Sequence, residues 1–453
     1  MRRVCLTLPT DRPCAGTLVA TAREAALGAR RYGAEVHLLV LDSSAPPARA
    51  AHRAALRDLP SAPGVVVHHL DETAQRAFLA EVAVRAGVPA PERTVDRMLP
   101  DRVSYGACTN RAFLLAEALD CDSVHRRDSD SGYQERDGEP VLPLEHELAF
   151  LGRPAAEAAG RVTRRRLDPG RAHRPVALVG GSFVGELSVD VAEIRRRDPA
   201  VHRDLVGLSI PGTVPEIWRR TLVDEAFRGA GSTPFTDDLT TLTRAVPARV
   251  DMCNIALDRR VYGRVPLPPV TDTVGSDYFL LHLVRAAHLP SVLHNRHIVN
   301  HHTPERRTGA GLAAYQLRLA RFLLAAPRLH AVYAALAEAG DALLDAEGAV
   351  RAPAVAALVR EQAGPDPDGV ADRLALIERC HRTLGGPYTA VADALAARRA
   401  ELMAGPAAMM ADFVDLIDDW GPLVRAAGEA RWYTGSLLDG VRQSASANGP
   451  VSA

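Results

Sequence analysis

The stretch HRRDSDSGYQ, residues 125–134, sets two carboxylates, Asp128 and Asp130, two positions apart. Side chains alternate along extended backbone, so both acids can face one side. Such a pair suits a hard divalent cation, Mn2+ or Mg2+, which takes oxygen ligands and keeps positions open for substrate phosphates. A cation held there neutralises charge on a departing diphosphate. Taken alone, the same residues also fit a solvated turn. Downstream, Ser276 and Asp277 open a helix in VGSDYFLLHLVRAAHLP. A carboxylate at that point either caps the helix or takes the proton of a bound hydroxyl. LPSVLHNRHIVNHH supplies His294, His297, His301 and His302. A neutral imidazole is a fit ligand for the same cation, and all four equally suit polar surface or packing.

These groups need elements to position them. RVCLTLP is a short apolar run ended by Pro9, Thr17 to Tyr32 carries apolar residues at helical spacing, and AEVHLLVLDSS is a buried strand that stops at Asp42. APPARAAHRAALRDL adds a helix and GVVVHHLD a strand ending at Asp71. The alternation predicts a parallel sheet with helices on its faces. Ligands of such sheets bind beyond the carboxyl ends of the strands, where Thr10, Asp11, Asp42 and Asp71 fall. SYGACTNRAFLLAEALD places Ala107, Arg111, Leu114, Leu115 and Ala118 at helical offsets, and a short strand leads from it into DSDS.

Farther on, RPVALVGGSFVGELSVDV reads as one strand with a glycine pair, VDMCNIALDRRVYG as a strand and a short helix, and SVLHNRHIVNHHTPERR as one strand followed by a polar, mobile loop. No GxGxxG is present, so a dinucleotide fingerprint is not supported. The arginine runs at 164–166 and 195–197 fit solvated faces or a phosphate contact. After about residue 310 the chain is Ala- and Leu-rich, and its prolines at 327, 353, 365, 367, 387, 406 and 422 predict six or seven helices. Trp432 and Tyr433 near its end fit a helical core or a sugar-stacking role. The expected division is 1–308, a helical region 309–443 and a disordered tail 444–453.

Composition narrows the chemistry. All 54 basic residues are Arg, which excludes Schiff-base catalysis, the P-loop and kinase-type phosphate clamps, since each relies on a Lys amine. A net charge of −1 gives no global reason to expect nucleic acid or an anionic membrane as partner. The six cysteines, with no CxxC, suit neither a zinc site nor a disulfide framework and fit a reducing cytoplasm, the expected location. RFLLAAPRL is too short to cross a bilayer, so no membrane span is expected. A chain of 453 residues is too long for one ordinary core.

In order, VCLTLPTDRP, VHLLVLDSS and SYGACTNRAFLLAEALDCDSVHRRDSD resemble the nucleotide-binding half of GT-A fold glycosyltransferases, which use a DxD motif. VDMCNIALDRRVYGRVPLPPVTDTVGSDYFLLHLV resembles their acceptor half, and the likeness runs over roughly residues 3–302. It implies an α/β fold: a GT-A type, Rossmann-like, mostly parallel sheet flanked by helices, followed by an all-α C-terminal region. It also implies that Pro9, Thr10 and Arg12 line the nucleoside, that Asp42 accepts from the base, and that Arg111 contacts base or diphosphate. Asp130 would bind the metal, with His297 reaching the same ion, while Asp128 would serve the ribose or a metal-bound water. Asp277 would be the catalytic carboxylate facing the acceptor. Where the family commonly carries a Glu-Asp pair this chain has a single Asp277, which leaves retention or inversion open, and no family motif falls on the helical third.

The expected function is therefore metal-dependent transfer of a sugar from a nucleotide-diphosphate-sugar donor to a hydroxyl-bearing small molecule, such as a secondary metabolite. Two rivals use the same residues: a sugar-phosphate nucleotidyltransferase or phosphohydrolase, and a non-catalytic nucleotide-sugar-binding scaffold. The missing Lys weakens the enzymatic rival, because such enzymes usually neutralise phosphate with one. The sugar, the base, the acceptor and the oligomeric state are not legible.

Overall fold

A computed structural model describes residues 1–430 apart from 188, 190, 302, 303 and 364–368. His302, Pro365, Pro367, Trp432, Tyr433 and the tail from 444 lie outside the described residues. The strands are β1 (Arg3–Thr10), β2 (Glu35–Asp42), β3 (Val65–Asp71), β4 (Ser123–Arg126), β5 (Ser131–Arg136), β6 (Glu139–Val141), β7 (Arg164–Arg165), β8 (Leu178–Gly180), β9 (Phe183–Gly185), β10 (Thr240–Arg244), β11 (Ile255–Asp258), β12 (Pro290–His294) and β13 (Ile298–Asn300). Nine build one mixed sheet in the order β3-β2-β1-β4-β11-β8-β12-β10-β7, and a second sheet runs β6-β5-β13-β9. β1, β2, β3 and β4 are mutually parallel, as the alternation predicts, whereas β11 is antiparallel to both its neighbours.

The central strands are apolar on both faces because both are covered. Val4, Leu6 and Leu8 of β1 and Val36, Leu38 and Val40 of β2 pack under α1 (Ala15–Tyr32) and the helix Leu144–Phe150. The alternate residues Cys5, Leu39 and Leu41 join the opposite core, with α3 (Glu72–Ala86), α4 (Pro91–Met98) and α5 (Tyr105–Ala118). Between β2 and β3 runs α2 (Pro46–Arg57), with Pro in its first turn. Caps mark two helix starts: Asp71 accepts from the Ala74 N–H and Ser104 from the Ala107 N–H.

Two expected single strands are each two. RPVALVGGSFVGEL divides at its glycines, with β8 in the large sheet and β9 in the small one. A Cβ on Gly181 would stand 2.6 Å from Asn254 Nδ2 and 2.8 Å from the His294 ring, so only glycine lets the chain pass between sheets here. SVLHNRHIVN likewise splits into β12 and β13, and a short 3-10 turn at Pro304–Arg307 follows where a loop was expected.

The C-terminal region is helical, with five α-helices among the described residues rather than six or seven. Pro353 and Pro387 occupy first turns, but Pro327 lies inside Gly309–Ala339 and Pro406 and Pro422 inside Arg399–Glu429. Packing offsets the lost helix hydrogen bonds, since Leu323, Leu324, Leu329 and Val332 are buried on both sides of Pro327. By length and composition Gly309–Leu343 is long and apolar enough to cross a membrane, yet over half of its apolar window is buried inside this structure. The boundary near 309 is no break in the core: Met410, Phe413 and Trp420 share one cluster with Val95, Phe113 and Val261. Trp420 Nε1 also donates to the Tyr262 carbonyl at 2.8 Å, and burying an aromatic of that size contributes about 4–6 kcal/mol.

Beneath the DSDS turn lies a buried charge cluster. Arg127, 1% exposed, donates to Glu24 of α1 at 2.9 Å and to Glu147 of the helix Leu144–Phe150 at 3.0 Å. His125 Nδ1 lies 2.8 Å from Glu147, and Tyr133 and the Leu144 N–H donate to Glu24. Burial alone would raise Glu147, but Arg127 and His125 outweigh it and hold that carboxyl below its usual range. Removing one member of a buried, hydrogen-bonded set costs about 3–5 kcal/mol because the partners stay buried and unpaired. Arg127→Met should lower the urea unfolding free energy by about that much, whereas exposed Arg30→Met should change it by under about 0.5 kcal/mol. Equal midpoints for the two variants would contradict the assignment.

Candidate functional site

The carboxyl ends of β1 and β4 open on one cleft of about 1950 Å3. Pro9, Thr10, Arg12, Arg111, Asp128, Asp130, Asp277 and His297 all line it, brought together from five separate stretches of sequence. Thr10 Oγ1 accepts from the Arg12 N–H, which turns the chain at the end of β1 and sends the Arg12 guanidinium to Asp130 at 3.3 Å. Arg306, on the 3-10 turn after β13, reaches the same Asp130 oxygen at 2.9 Å. Arg126, the last residue of β4, is buried and bridges the two halves: it pairs with Asp128 at 3.0 Å and with Asp277 at 2.6 Å, and also donates to Thr109.

Asp277 stands where the sequence puts it, in a 3-10 turn just ahead of the helix Phe279–Ala286, with Gly275 before it at φ +71°. A fourth carboxylate, Asp251, completes the group, accepting from Tyr278 Oη at 2.6 Å and from the Cys253 N–H at 3.0 Å. Burial pushes the Asp128 carboxyl up to about 6; Arg126 opposes this, and the charges of Asp130, Asp251 and Asp277 add to it. Burial also raises Asp277, against the pull of Arg126. Carboxylates so crowded carry more negative charge than the three nearby guanidiniums place against them, and all the donor atoms are oxygen. A hard divalent cation fits that excess.

Three expected residues take other places. Asp42 does not face the cleft: it is 0% exposed and accepts from His52 at 2.8 Å, His69 at 2.7 Å and the Ser44 N–H at 2.9 Å. Burial would raise its pKa, but these hydrogen bonds hold it well below the usual range. Arg111 reaches the cleft wall, yet its guanidinium is spent inside, on Gln75 at 2.8 Å and the Met98 carbonyl. His297 is separated from Asp130 by strand register. β13 pairs Ile298 with Tyr133 and Asn300 with Ser131, so Asp130 falls opposite His301, whose N–H donates to its carbonyl at 3.4 Å. His297 is four residues farther along, roughly 13 Å. It accepts from the Ser182 N–H, and burial lowers it to about 4, leaving it neutral.

The Asp42, His52 and His69 ligand atoms lie within 4.8 Å of one another, a set that could hold a metal ion. The hydrogen bonds argue for a structural knot. The Cys14 N–H donates to His52 Nε2 at 3.0 Å, so the His52 proton sits on Nδ1, pointing at Asp42 where a cation would need a lone pair. The knot ties α1, β2, α2 and β3 beneath the cleft.

Arg126, Asp251 and Arg306 were not singled out from sequence. Arg126 and Arg306 flank the DSDS turn and the HIV run, so their proximity to those motifs was a visible signal; Asp251 sits in a loop with no such marker. The helix Gly309–Ala339 also walls the cleft, with Tyr315, Phe322, His330 and Tyr333, and His282 stacks on Tyr333 at 3.6 Å. The raised Asp128 has a thermal consequence. Its folded pKa exceeds its unfolded value, so the stability it contributes is present at low pH and lost as pH rises through about 6. In metal-free protein Asp128→Asn should therefore melt above wild type at pH 7.5, with the gain falling by about half at pH 5. A variant that melts lower at pH 7.5 would show Asp128 to be a stabilising ion-pair partner.

No curated protein matches the chain. Among solved structures, the mannosyltransferase PcManGT from Pyrobaculum calidifontis, in complex with GDP-Man and Mn2+, is similar over 96% of this chain and 88% of that one, at 14% identity and a TM-score of 0.35. A model for a family of unknown function, DUF6271, matches residues 2–435, and the chain belongs to that family.

Proposed function

We propose that the chain is a glycosyltransferase that takes a nucleotide-diphosphate sugar as donor and transfers the sugar to a hydroxyl-bearing small molecule. One observation carries the reading: the acids of DSDS, the polar end of β1 and Asp277 meet in a single cleft, joined by Arg126. Pro9 and Thr10 form the nucleoside end, and Arg12 and Arg306 supply positive charge beside Asp130 for a diphosphate. Asp128 and Asp130 would hold a divalent cation, which would offset charge on the leaving nucleoside diphosphate.

Asp277 has the requirements of a general base toward the acceptor hydroxyl. Burial raises its affinity for a proton, and Arg126 fixes its orientation through one oxygen. Asp251, held by Tyr278, sits as a second carboxylate that orients rather than accepts. Asp42 and Arg111 contribute by shaping the floor of the nucleoside end, the first through the histidine knot and the second by bracing α5 against α3 and α4.

The reading is tested by melting the protein with UDP, GDP, ADP or dTDP, with and without Mn2+. One of the four should raise the melting temperature by several degrees only when Mn2+ is present, since a ligand at 100 times its Kd stabilises by about 2.7 kcal/mol. Asp130→Asn should abolish that shift while leaving the ligand-free melting temperature within about 2 °C. A flat response from all four, or a full response in Asp130→Asn, would contradict the donor site. Release of pyrophosphate from a nucleoside triphosphate would favour nucleotidyl transfer instead.

A further inference from the structure

The cleft has a second, oppositely charged end. Arg164 and Arg166 at the β7 edge, Arg249 on the turn after β10 and Arg285 on the helix Phe279–Ala286 all line it and are exposed. Among the described residues no carboxylate pairs with any of these four. The arginines near the acids are matched, by contrast: Arg12 and Arg306 to Asp130, and Arg126 to Asp128 and Asp277. Register sets the faces, since Arg164 pairs with Thr241 in parallel ladder, and Thr241 and Thr243 present hydroxyls to the same cleft. Arg285 donates once, to the Ala245 carbonyl, which brings the helix and the turn together without neutralising either charge.

Sheet order gives the separation. From β4, which carries the DSDS turn, to β7 there are five strand spacings. At about 4.8 Å each this is roughly 24 Å along the sheet. A diphosphate beside Asp130 does not reach across that distance. Four unpaired guanidiniums on one wall leave a concentrated positive potential, and the planar guanidinium matches phosphate oxygens in pairs.

We propose that this arginine wall binds a phosphate group of the second substrate, so that the acceptor is an extended, phosphate-bearing molecule whose charged end is anchored at Arg164 and Arg166. Calling that ligand an acceptor rests on the transferase reading; the anion site itself does not. Arg249 and Arg285 add charge at the same end of the cleft, and the two threonine hydroxyls donate to remaining oxygens.

The probe is inorganic pyrophosphate, titrated calorimetrically into the full chain with divalent cations removed, so that the acidic end repels it. Wild type should bind, and Arg164→Ala/Arg166→Ala should weaken binding at least about tenfold while its nucleoside diphosphate shift with Mn2+ stays unchanged. Asp130→Asn should behave oppositely. Undiminished pyrophosphate binding in the double arginine variant, or none in wild type, would overturn the proposal, as would citrate held as tightly as pyrophosphate. Pyrophosphate binding lost in the double variant, together with no nucleoside diphosphate binding at all, would uphold the wall and sink the donor reading alone.

Discussion

Arg127 is the hinge on which the site's geometry depends. It is a guanidinium with no access to water, placed one residue before the first acid of DSDS and clasped by carboxylates from two helices on the same face of the sheet. Desolvating three charges is costly, and the cost is met only while the geometry satisfies each of them. That requirement sets where β4 ends. Its backbone N–H is given to the Thr7 carbonyl of β1, so the chain cannot slip along its neighbour, and the DSDS turn leaves the sheet at a fixed point that sets Asp130 beside Arg12. Arg126, pointing the other way, then ties the same point to Asp277, 151 residues downstream.

The cleft above this anchor is organised by charge rather than by shape. Its acidic end is over-supplied with carboxylates, and the rise in Asp128 reflects first its burial and then the repulsion among them. Arrangements of this kind lower the stability of the empty protein and gain it back when a cation or a cationic transition state arrives, which is why perturbed acids collect at functional sites. At the far end the imbalance reverses sign. A single long cleft with separated negative and positive ends is suited to two anionic groups held in different ways, one through a cation at the carboxylates and one directly by guanidiniums.

Sequence was a good guide wherever periodicity and strand ends carried the signal. The elements from β1 to β3, the helix α5 with β4 after it, the turn that bears Asp128 and Asp130, and the placement of Asp277 at a helix start were legible from local apolar pattern and caps, whereas α3 and α4 were not read. Asp42 was misplaced because an acid at a strand end looks the same in sequence whether it meets a ligand or two histidines; His52 and His69 lie 10 and 27 residues away, and only packing brings them in. His297 was singled out by its flanking apolar residues, whereas the register of β13 against β5, which nothing local encodes, sets it four residues along the strand from the position opposite Asp130. The C-terminal prolines misled for a related reason: burial of Leu323 and Leu329 outweighs the helix bond that Pro327 deletes. The contribution of Gly309–Ala339 to the cleft wall is tertiary throughout.

Metal-dependent transfer in this cleft requires that the DSDS turn, and not the Asp42 knot, be where a divalent cation and a nucleoside diphosphate meet. Crystals grown with Mn2+ and the stabilising nucleoside diphosphate, measured for anomalous scattering, test this directly. One strong anomalous peak in contact with Asp130 is expected, with Arg306 drawn off that carboxylate toward the diphosphate. A peak between Asp42, His52 and His69, with none at Asp130, would contradict it.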